Sequence, residues 1–244
     1  MSHALATTLN SVHFNGREFQ ILAASAGDHI AKHLAKGAFY EEEDLRLLKR
    51  HVPRGAVIAD IGANIGNHTI FFEKVMLCEK VVVFDVSPVA IRILRANIAL
   101  NGLRSVDTQF LGLGLSNTRC RGDIKPHATN LGMTSILTEG HKTGNIRLIP
   151  GDELLLDERQ LDLLKIDVEG GEIEVLLGLT STIEKFRPII FVEVSETRSN
   201  EFLPWVEASG YRVEDVIQRY PENRNYLLMG KRCAAGTLNS RPYQ

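Results

Sequence analysis

Cysteine, charge of one sign and long apolar runs are all scarce in this chain, and each scarcity removes a class of protein. The three cysteines, Cys78, Cys120 and Cys233, are odd in number and far apart, which suits neither a disulfide framework nor a zinc knuckle and points to a reducing compartment. Acidic and basic residues nearly cancel, at 30 against 28. No Lys/Arg run is interleaved with aromatics, so nucleic acid is not the expected partner. No stretch approaches the roughly 18 to 20 apolar residues of a membrane span, and residues 1–10 lack a charged start followed by an apolar run. The expectation is a cytoplasmic protein without a membrane span. With 244 residues, 44% of them hydrophobic, the chain can bury one sizeable core.

What the sequence does have, from residue 56 onward, is short apolar runs alternating with segments of helical period, the pattern of a doubly wound α/β sheet. Ahead of it, Asn15-Gly16 between two alternating segments marks a hairpin. Residues 41–51 read as a helix with acids in the first turn and Lys49, Arg50 and His51 in the last, as the helix dipole favours. Residues 1–52 are therefore expected to form a hairpin-and-helix cap on the same globular unit as residues 53–244. Strands are predicted at 57–61, 80–85, 106–111, 146–149, 161–167, 188–194, 211–217 and 225–230, and helices at 65–76, 88–100, 172–179 and 200–209. Ser87-Pro88 opens the second of these helices and Asn101-Gly102 closes it. Trp205 belongs to a helical apolar stripe and reads as core. Residues 116–145 have no sustained period and read as an irregular insertion, a lid or binding loop, with disorder as the competing reading.

In such a sheet, ligands bind beyond the carboxyl ends of the strands. The loop after the first core strand is Asp60-Ile61-Gly62-Ala63-Asn64-Ile65-Gly66. Gly62 and Gly66 allow a ligand to approach the backbone, the helix start near Gly66 offers free amides to a carboxylate, and Asn64 supplies a side-chain contact or a left-handed turn. Asp85, ending the second strand, can accept both hydroxyls of a ribose. Together these favour a nucleoside-containing cofactor over a structural turn. The dinucleotide fingerprint is not met, because Asn64 and Asn67 stand where its second and third glycines belong.

The strings Asp60-Ile61-Gly62-Ala63-Asn64-Ile65-Gly66-Asn67-His68-Thr69, Leu100-Asn101-Gly102-Leu103 and Leu164-Lys165-Ile166-Asp167-Val168-Glu169-Gly170-Gly171-Glu172 carry a family resemblance. Over about residues 40–194 the chain resembles the FkbM family of class I S-adenosylmethionine-dependent methyltransferases, chiefly O-methyltransferases acting on hydroxyls of sugars and natural products. The resemblance implies a Rossmann-like, mostly parallel seven-stranded sheet with an antiparallel C-terminal strand. It implies that Asp60, Gly62, Ala63, Asn64 and Gly66 surround the methionine part of S-adenosyl-L-methionine and that Asp85, with Ser87 beside it, holds the ribose. Tyr40-Glu41 matches the family's aromatic-Glu pair and would close over the cofactor. The partner is then a small-molecule or saccharide hydroxyl acceptor. Two departures stand out: Asp85-Val86-Ser87-Pro88 replaces a Glu followed closely by Pro, and Gly171 replaces a frequent Ala. The first shortens the ribose-binding acid by a methylene; the second loosens the start of the next helix by up to about 1 kcal/mol.

Methyl transfer to an alcohol is an in-line displacement that needs positioning and a group to take the proton. Asp167 and Glu169, at the end of a central strand and in the turn after it, are the catalytic candidates. Asp167 could instead bind the cofactor's amino group, and Glu169 or Glu172 could cap a helix. Glu193 could join Asp167 around a divalent cation, but two carboxylates are an incomplete oxygen site, so no metal ligand is assigned. His68, His127 and His141 are weaker candidates for a base, since isolated histidines near loops are usually only solvated. Asn130-Leu131-Gly132-Met133-Thr134-Ser135 is the insertion's substrate-facing piece, or a structural turn. Two rival functions stay open, an NAD-dependent oxidoreductase and a non-catalytic cofactor-binding scaffold. The acceptor's identity and the oligomeric state are not written in the sequence.

Overall fold

The computed structural model describes residues 6–24, 29–125, 135–137 and 144–231. Strands β1 (Thr7–Phe14) and β2 (Arg17–Ala24) pair antiparallel. Asn15 and Gly16 between them both have positive φ, 49° and 76°, as a two-residue hairpin turn matched to strand twist requires. Helices α1 (His29–Leu34) and α2 (Glu42–His51) follow. The α/β core then begins with β3 (Val57–Ile61), α3 (Asn67–Lys74), β4 (Lys80–Phe84), α4 (Pro88–Leu100) and β5 (Val106–Asp107). Four short strands come next: β6 (Leu113–Leu115), β7 (Cys120–Lys125), β8 (Ser135–Leu137) and β9 (Ile146–Ile149). The chain re-enters the core through α5 (Asp152–Leu155), β10 (Leu163–Ile166), α6 (Glu172–Leu177), α7 (Thr180–Phe186), β11 (Ile189–Ser195) and α8 (Ser199–Ala208), and ends on β12 (Tyr211–Tyr220) and β13 (Asn223–Gly230).

The main sheet has seven strands in the order β12-β13-β11-β10-β3-β4-β5. The five from β5 to β11 are parallel, and β13 runs antiparallel to both neighbours. This is the Rossmann-like sheet with an antiparallel C-terminal strand that the sequence leads one to expect. Strand order reverses between β3 and β10, so the crevice beyond their carboxyl ends is the ligand-binding position of the topology. Both faces are covered, which is why β3, β4 and β10 are apolar almost throughout. Ile58, Val81 and Val83 enter one apolar cluster with the hairpin and α1 to α4, while Ala59, Ile61, Val82 and Phe84 enter the other with α5 to α8, as the alternation of strand side chains demands.

The hairpin is tied to the core by two asparagines, Asn97 on α4 and Asn101 at its C-terminal cap. Asn97 is fully buried; its Oδ1 accepts from Leu22 N at 2.7 Å, and its Nδ2 donates to Leu22 O at 2.9 Å and to Ile65 O at 2.8 Å. Asn101 makes the same two-way contact with Gln20. Trp205 packs against the second cluster beside Phe202, 6.3 Å between ring centroids.

Three sequence expectations change. The strand expected at 106–111 stops at Asp107, because Gln109 N turns back to Asp107 Oδ1 and Leu111 N to Thr108 O. The insertion is not wholly irregular: β7 and β8 lie inside it and join β6 and β9 in a second sheet, ordered β6-β9-β7-β8. These strands are short and carry Gly122 and Asp123, so no apolar period marked them. Helices α1, α5 and α7, each seven residues or fewer, are likewise too short to show one. Cys233, His127, His141 and residues 130–134 lie outside the described residues, as does any statement on the Ser135 side chain. Among the described residues no helix is long and apolar enough to cross a membrane.

Candidate active site

The loop after β3 is shaped by the protein before any ligand. Gly62 has φ +82°, and a Cβ there would lie 1.8 Å from the backbone oxygen of Asp167; the loops after β3 and β10 touch through their main chains. Gly66, with φ +86°, would place a Cβ 2.5 Å from Leu94 Cδ1 on α4. Both glycines therefore serve internal packing, and Gly66 lines neither of the cavities described below. Ala63 is buried, and both its amide and that of Gly62 donate to Phe84 O at 2.9 Å. Asn64 takes the left-handed conformation, φ 50°. Its amide donates to Asp85 Oδ2 at 2.8 Å, while its own buried Oδ1 has no hydrogen-bond partner.

Asp85 also accepts from Ser87 N at 2.8 Å, and Ser87 Oγ in turn accepts from Ala90 N at the start of α4. One backbone donor per carboxylate oxygen leaves lone pairs free. Burial raises the Asp85 carboxyl to about 6 against the pull of those two amides.

Asp60 sits lower than expected. It is fully buried, accepts from Thr69 Oγ1 at 2.7 Å, and lines neither cavity. Its place is beneath the loop, 3.5 Å from the Lys165 ammonium. Lys165 is 2% exposed; it donates to Gly62 O at 2.8 Å and to Asp167 Oδ2 at 3.3 Å. Burial alone would lower its pKa, but Asp167, Asp60 and Glu41 raise it above the usual lysine value. A buried charge is tolerated only when paired in this way.

Two cavities open at the switch point. The first, about 490 Å³, lies between Asp85, Val86 and Ser87 on one side and the second sheet on the other, through Leu113 of β6, Cys120 of β7 and Leu148 of β9. The second, about 480 Å³, is lined by Tyr40, Glu41, His68, Lys165, Glu193 and Tyr220 among others. Gly62, Asn64, Asp167 and Glu169 belong to both. Four residues expected at the site thus form the partition between two chambers, a layout that sequence spacing does not reveal.

The partition is crowded with carboxyls. Single ligand atoms of Asp167, Glu169 and Glu193 lie within 4.8 Å of one another, so Glu169 joins the two carboxylates that the sequence left as an incomplete oxygen site. Burial would raise Asp167, but Lys165 and a hydrogen bond with Glu193 hold it below the usual range. Glu193 moves the opposite way, raised by burial and by Asp167. Glu169 is pushed up to about 8 by burial, Asp167 and Glu172, and Glu41 to about 8 by burial, Asp44 and Asp167. Burial and Lys165 drive His68 down to about 3, leaving it neutral, its Nε2 3.4 Å from Glu41 Oε2 and without a hydrogen bond.

Backbone strain collects here as well. Six described non-glycine residues have positive φ, and Glu41, Asn64 and Glu169 are three of them; such concentration is typical of functional sites. Tyr40 and Glu41 are held over the loop by Asn67, which accepts from Tyr40 N at 3.1 Å and donates to Tyr40 O at 2.8 Å. Arg219 on β12 ties α2 down through Asp44 and lies 3.3 Å from Glu41 Oε1. The sequence reading missed His29, Tyr220, Glu222 and Asn223, all lining the second cavity. For the last three a topological signal exists: a terminal hairpin antiparallel to β11 puts its turn at the carboxyl end of the sheet.

The sequence model of the methyltransferase FkbM domain matches residues 60–226, a span holding the loop, Asp85, the partition and the terminal hairpin. The chain belongs to the FkbM methyltransferase family. This FkbM-family chain is 34% identical over 157 residues to the hexuronic acid methyltransferase AglP of Haloferax volcanii, covering 62% of the chain and 61% of that relative. It is 26% identical over 190 residues to methyltransferase sdnD of Sordaria araneosa, covering 65% and 73%. Among solved structures, a methyltransferase FkbM from Methylobacillus flagellatus superposes with a TM-score of 0.50 at 17% identity, over 80% of this chain and 51% of that one. A precorrin-6y C5,15-methyltransferase from Geobacter metallireducens superposes at 0.51 and 14%, over 79% and 90%. These two show a shared fold.

Proposed function

We propose that the chain transfers a methyl group from S-adenosylmethionine to a hydroxyl of a saccharide or natural-product acceptor. The observation that carries this reading is the partition: two chambers of similar size meet at Asn64, Asp167 and Glu169. The residues present fit the cofactor. A strand-end acid with free lone pairs borders the first chamber, and the unpartnered buried Oδ1 of Asn64 lies where the chambers join. When bound, the cofactor supplies an electrophilic methyl on a sulfonium.

The chain's own residues would do the rest. Asp85 accepts from the ribose hydroxyls while Asn64 and Ser87 keep its carboxylate in place; Gly62, Ala63 and Asn64 border the methionine part. Asp60 and Gly66 act indirectly, by fixing that loop. Residues 1–52 cap the methyltransferase domain of residues 53–244, bringing Tyr40 and Glu41 over the second chamber. Asp167, kept ionised by Lys165, faces the positive charge of the cofactor. Glu169, raised to about 8, takes the acceptor's proton; a pKa near the working pH is what a general base needs. The 34% identical relative, whose name gives a hexuronic acid as its substrate, supports a sugar acceptor.

Calorimetric titration with S-adenosylhomocysteine and with NADH separates this reading from an oxidoreductase; tight NADH binding without the homocysteine compound overturns it. Labelled-methyl transfer to a glycan and polyketide panel, with Glu169→Gln and Asp167→Ala beside the wild type, separates an enzyme from a scaffold. Turnover should fall by about 10²-fold or more in Glu169→Gln, and binding without any turnover favours the scaffold.

A further inference from the structure

We infer that the acceptor of this site carries no negative charge: the second cavity is built for a neutral or amine-bearing saccharide, not a uronate or phosphorylated sugar. This rests on the methyl-transfer reading above and extends it to substrate class.

The cavity wall contains Glu41, Asp167, Glu169, Glu193 and Glu222, and Lys165 is the one Lys or Arg of the described residues that lines it. That ammonium is already engaged by Gly62 O, Asp167 and Asp60. Arg219, behind Glu41, is turned to Asp44 and Glu41, and Arg224 pairs with Glu196 at 3.2 Å. Of the two histidines in the wall, His68 is neutral and His29 has its Nε2 engaged by Tyr220 Oη at 2.7 Å. A smaller neighbouring hollow of about 200 Å³, lined by Glu169, Glu172, Glu193, Ser195 and Asn223 with Gly170, has no basic residue. An incoming carboxylate or phosphate would meet acids and no free cation, and like charges brought together cost several kcal/mol. Burial, and the acids' repulsion of one another, raise the carboxyls of Glu41, Glu169 and Glu193, the same imbalance felt inside the protein.

The rest of the wall suits a polyol. Carboxylates accept from neighbouring hydroxyls, and carboxyls that keep a proton can also donate to one. The same wall carries aromatic rings with polar tips. Tyr40 and Tyr220 each meet His29 edge-on, at 5.7 and 5.9 Å between centroids, and Tyr220 Oη lies 2.7 Å from His29 Nε2. Such rings offer an apolar face to sugar C–H groups and a hydroxyl at the rim. The contrast with the hexuronic acid of the haloarchaeal relative is the point at issue.

The test uses the full chain and matched saccharide sets, each a neutral hexoside, its uronate and its 6-amino counterpart. Binding of S-adenosylhomocysteine is measured first; if it is absent, the methyl-transfer reading itself fails. With binding present, labelled-methyl transfer should favour the neutral or amino member over the uronate by at least about tenfold. Glu222→Lys should narrow that gap by about tenfold while leaving S-adenosylhomocysteine affinity unchanged. Equal or better transfer to the uronate overturns the inference, and so does binding of the homocysteine compound with no transfer to any member.

Discussion

At the scale of single residues, the two loop glycines and Asp85 make separable predictions. In Gly62→Ala, positive φ costs about 1 to 2 kcal/mol and the added Cβ collides with rigid backbone at Asp167. Denaturant unfolding should show a loss above about 2 kcal/mol, and calorimetry a loss of S-adenosylhomocysteine binding. Gly66→Ala meets only the end of the Leu94 side chain; it should lose less stability and keep that binding. Asp85, at about 6, accepts strongly through both oxygens only when ionised. Affinity for S-adenosylhomocysteine should therefore fall as pH drops through about 6. Asp85→Asn should bind about tenfold or more weakly than the wild type at pH 7.5 and lose that dependence; an unchanged profile removes Asp85 from the ribose contact.

Among the elements, α4 is the strut between the hairpin and the cofactor loop, because one Asn97 amide serves both Leu22 and Ile65. Asn97→Ala strands three backbone groups, the buried carbonyl of Ile65 and the half-buried amide and carbonyl of Leu22. Stability should drop by about 2 to 3 kcal/mol, and amide exchange should rise first in β1 and β2. The core strands and the α4 caps were legible in the sequence because a strand buried on both faces is apolar throughout and a Ser-Pro start and Asn-Gly stop act locally. The second sheet was not: its strands are three to six residues long, and short strands show no period. The depth of Asp60 was not legible for a related reason. Spacing locates an acid at a strand end, but only the buried Lys165 on the adjacent strand decides that it turns inward. Lys165 stands in plain view in the Lys165-Ile166-Asp167 string, and its role appears only once β10 lies beside β3.

For the whole molecule, the crowded carboxyls make stability depend on pH in a direction opposite to that of salt-bridged acids. Glu41 and Glu169 keep their protons to about 8 when folded but lose them near 4.5 when unfolded. Between those values the unfolded chain binds fewer protons, so stability falls as pH rises from about 4.5 to about 8. The melting temperature without ligand should decline across that range. S-adenosylmethionine, bringing positive charge to the same groups, should raise it more at pH 8 than at pH 5.5. A pH-independent shift would mean that the cofactor does not meet these acids.

Gly62, Asn64, Asp167 and Glu169 form a wall with two sides, and a wall of that kind imposes reciprocity. Any ligand that settles one face reshapes the other, so the two occupants cannot be independent. By linkage, whatever factor the cofactor adds to the grip on the acceptor, the acceptor returns to the cofactor in equal measure.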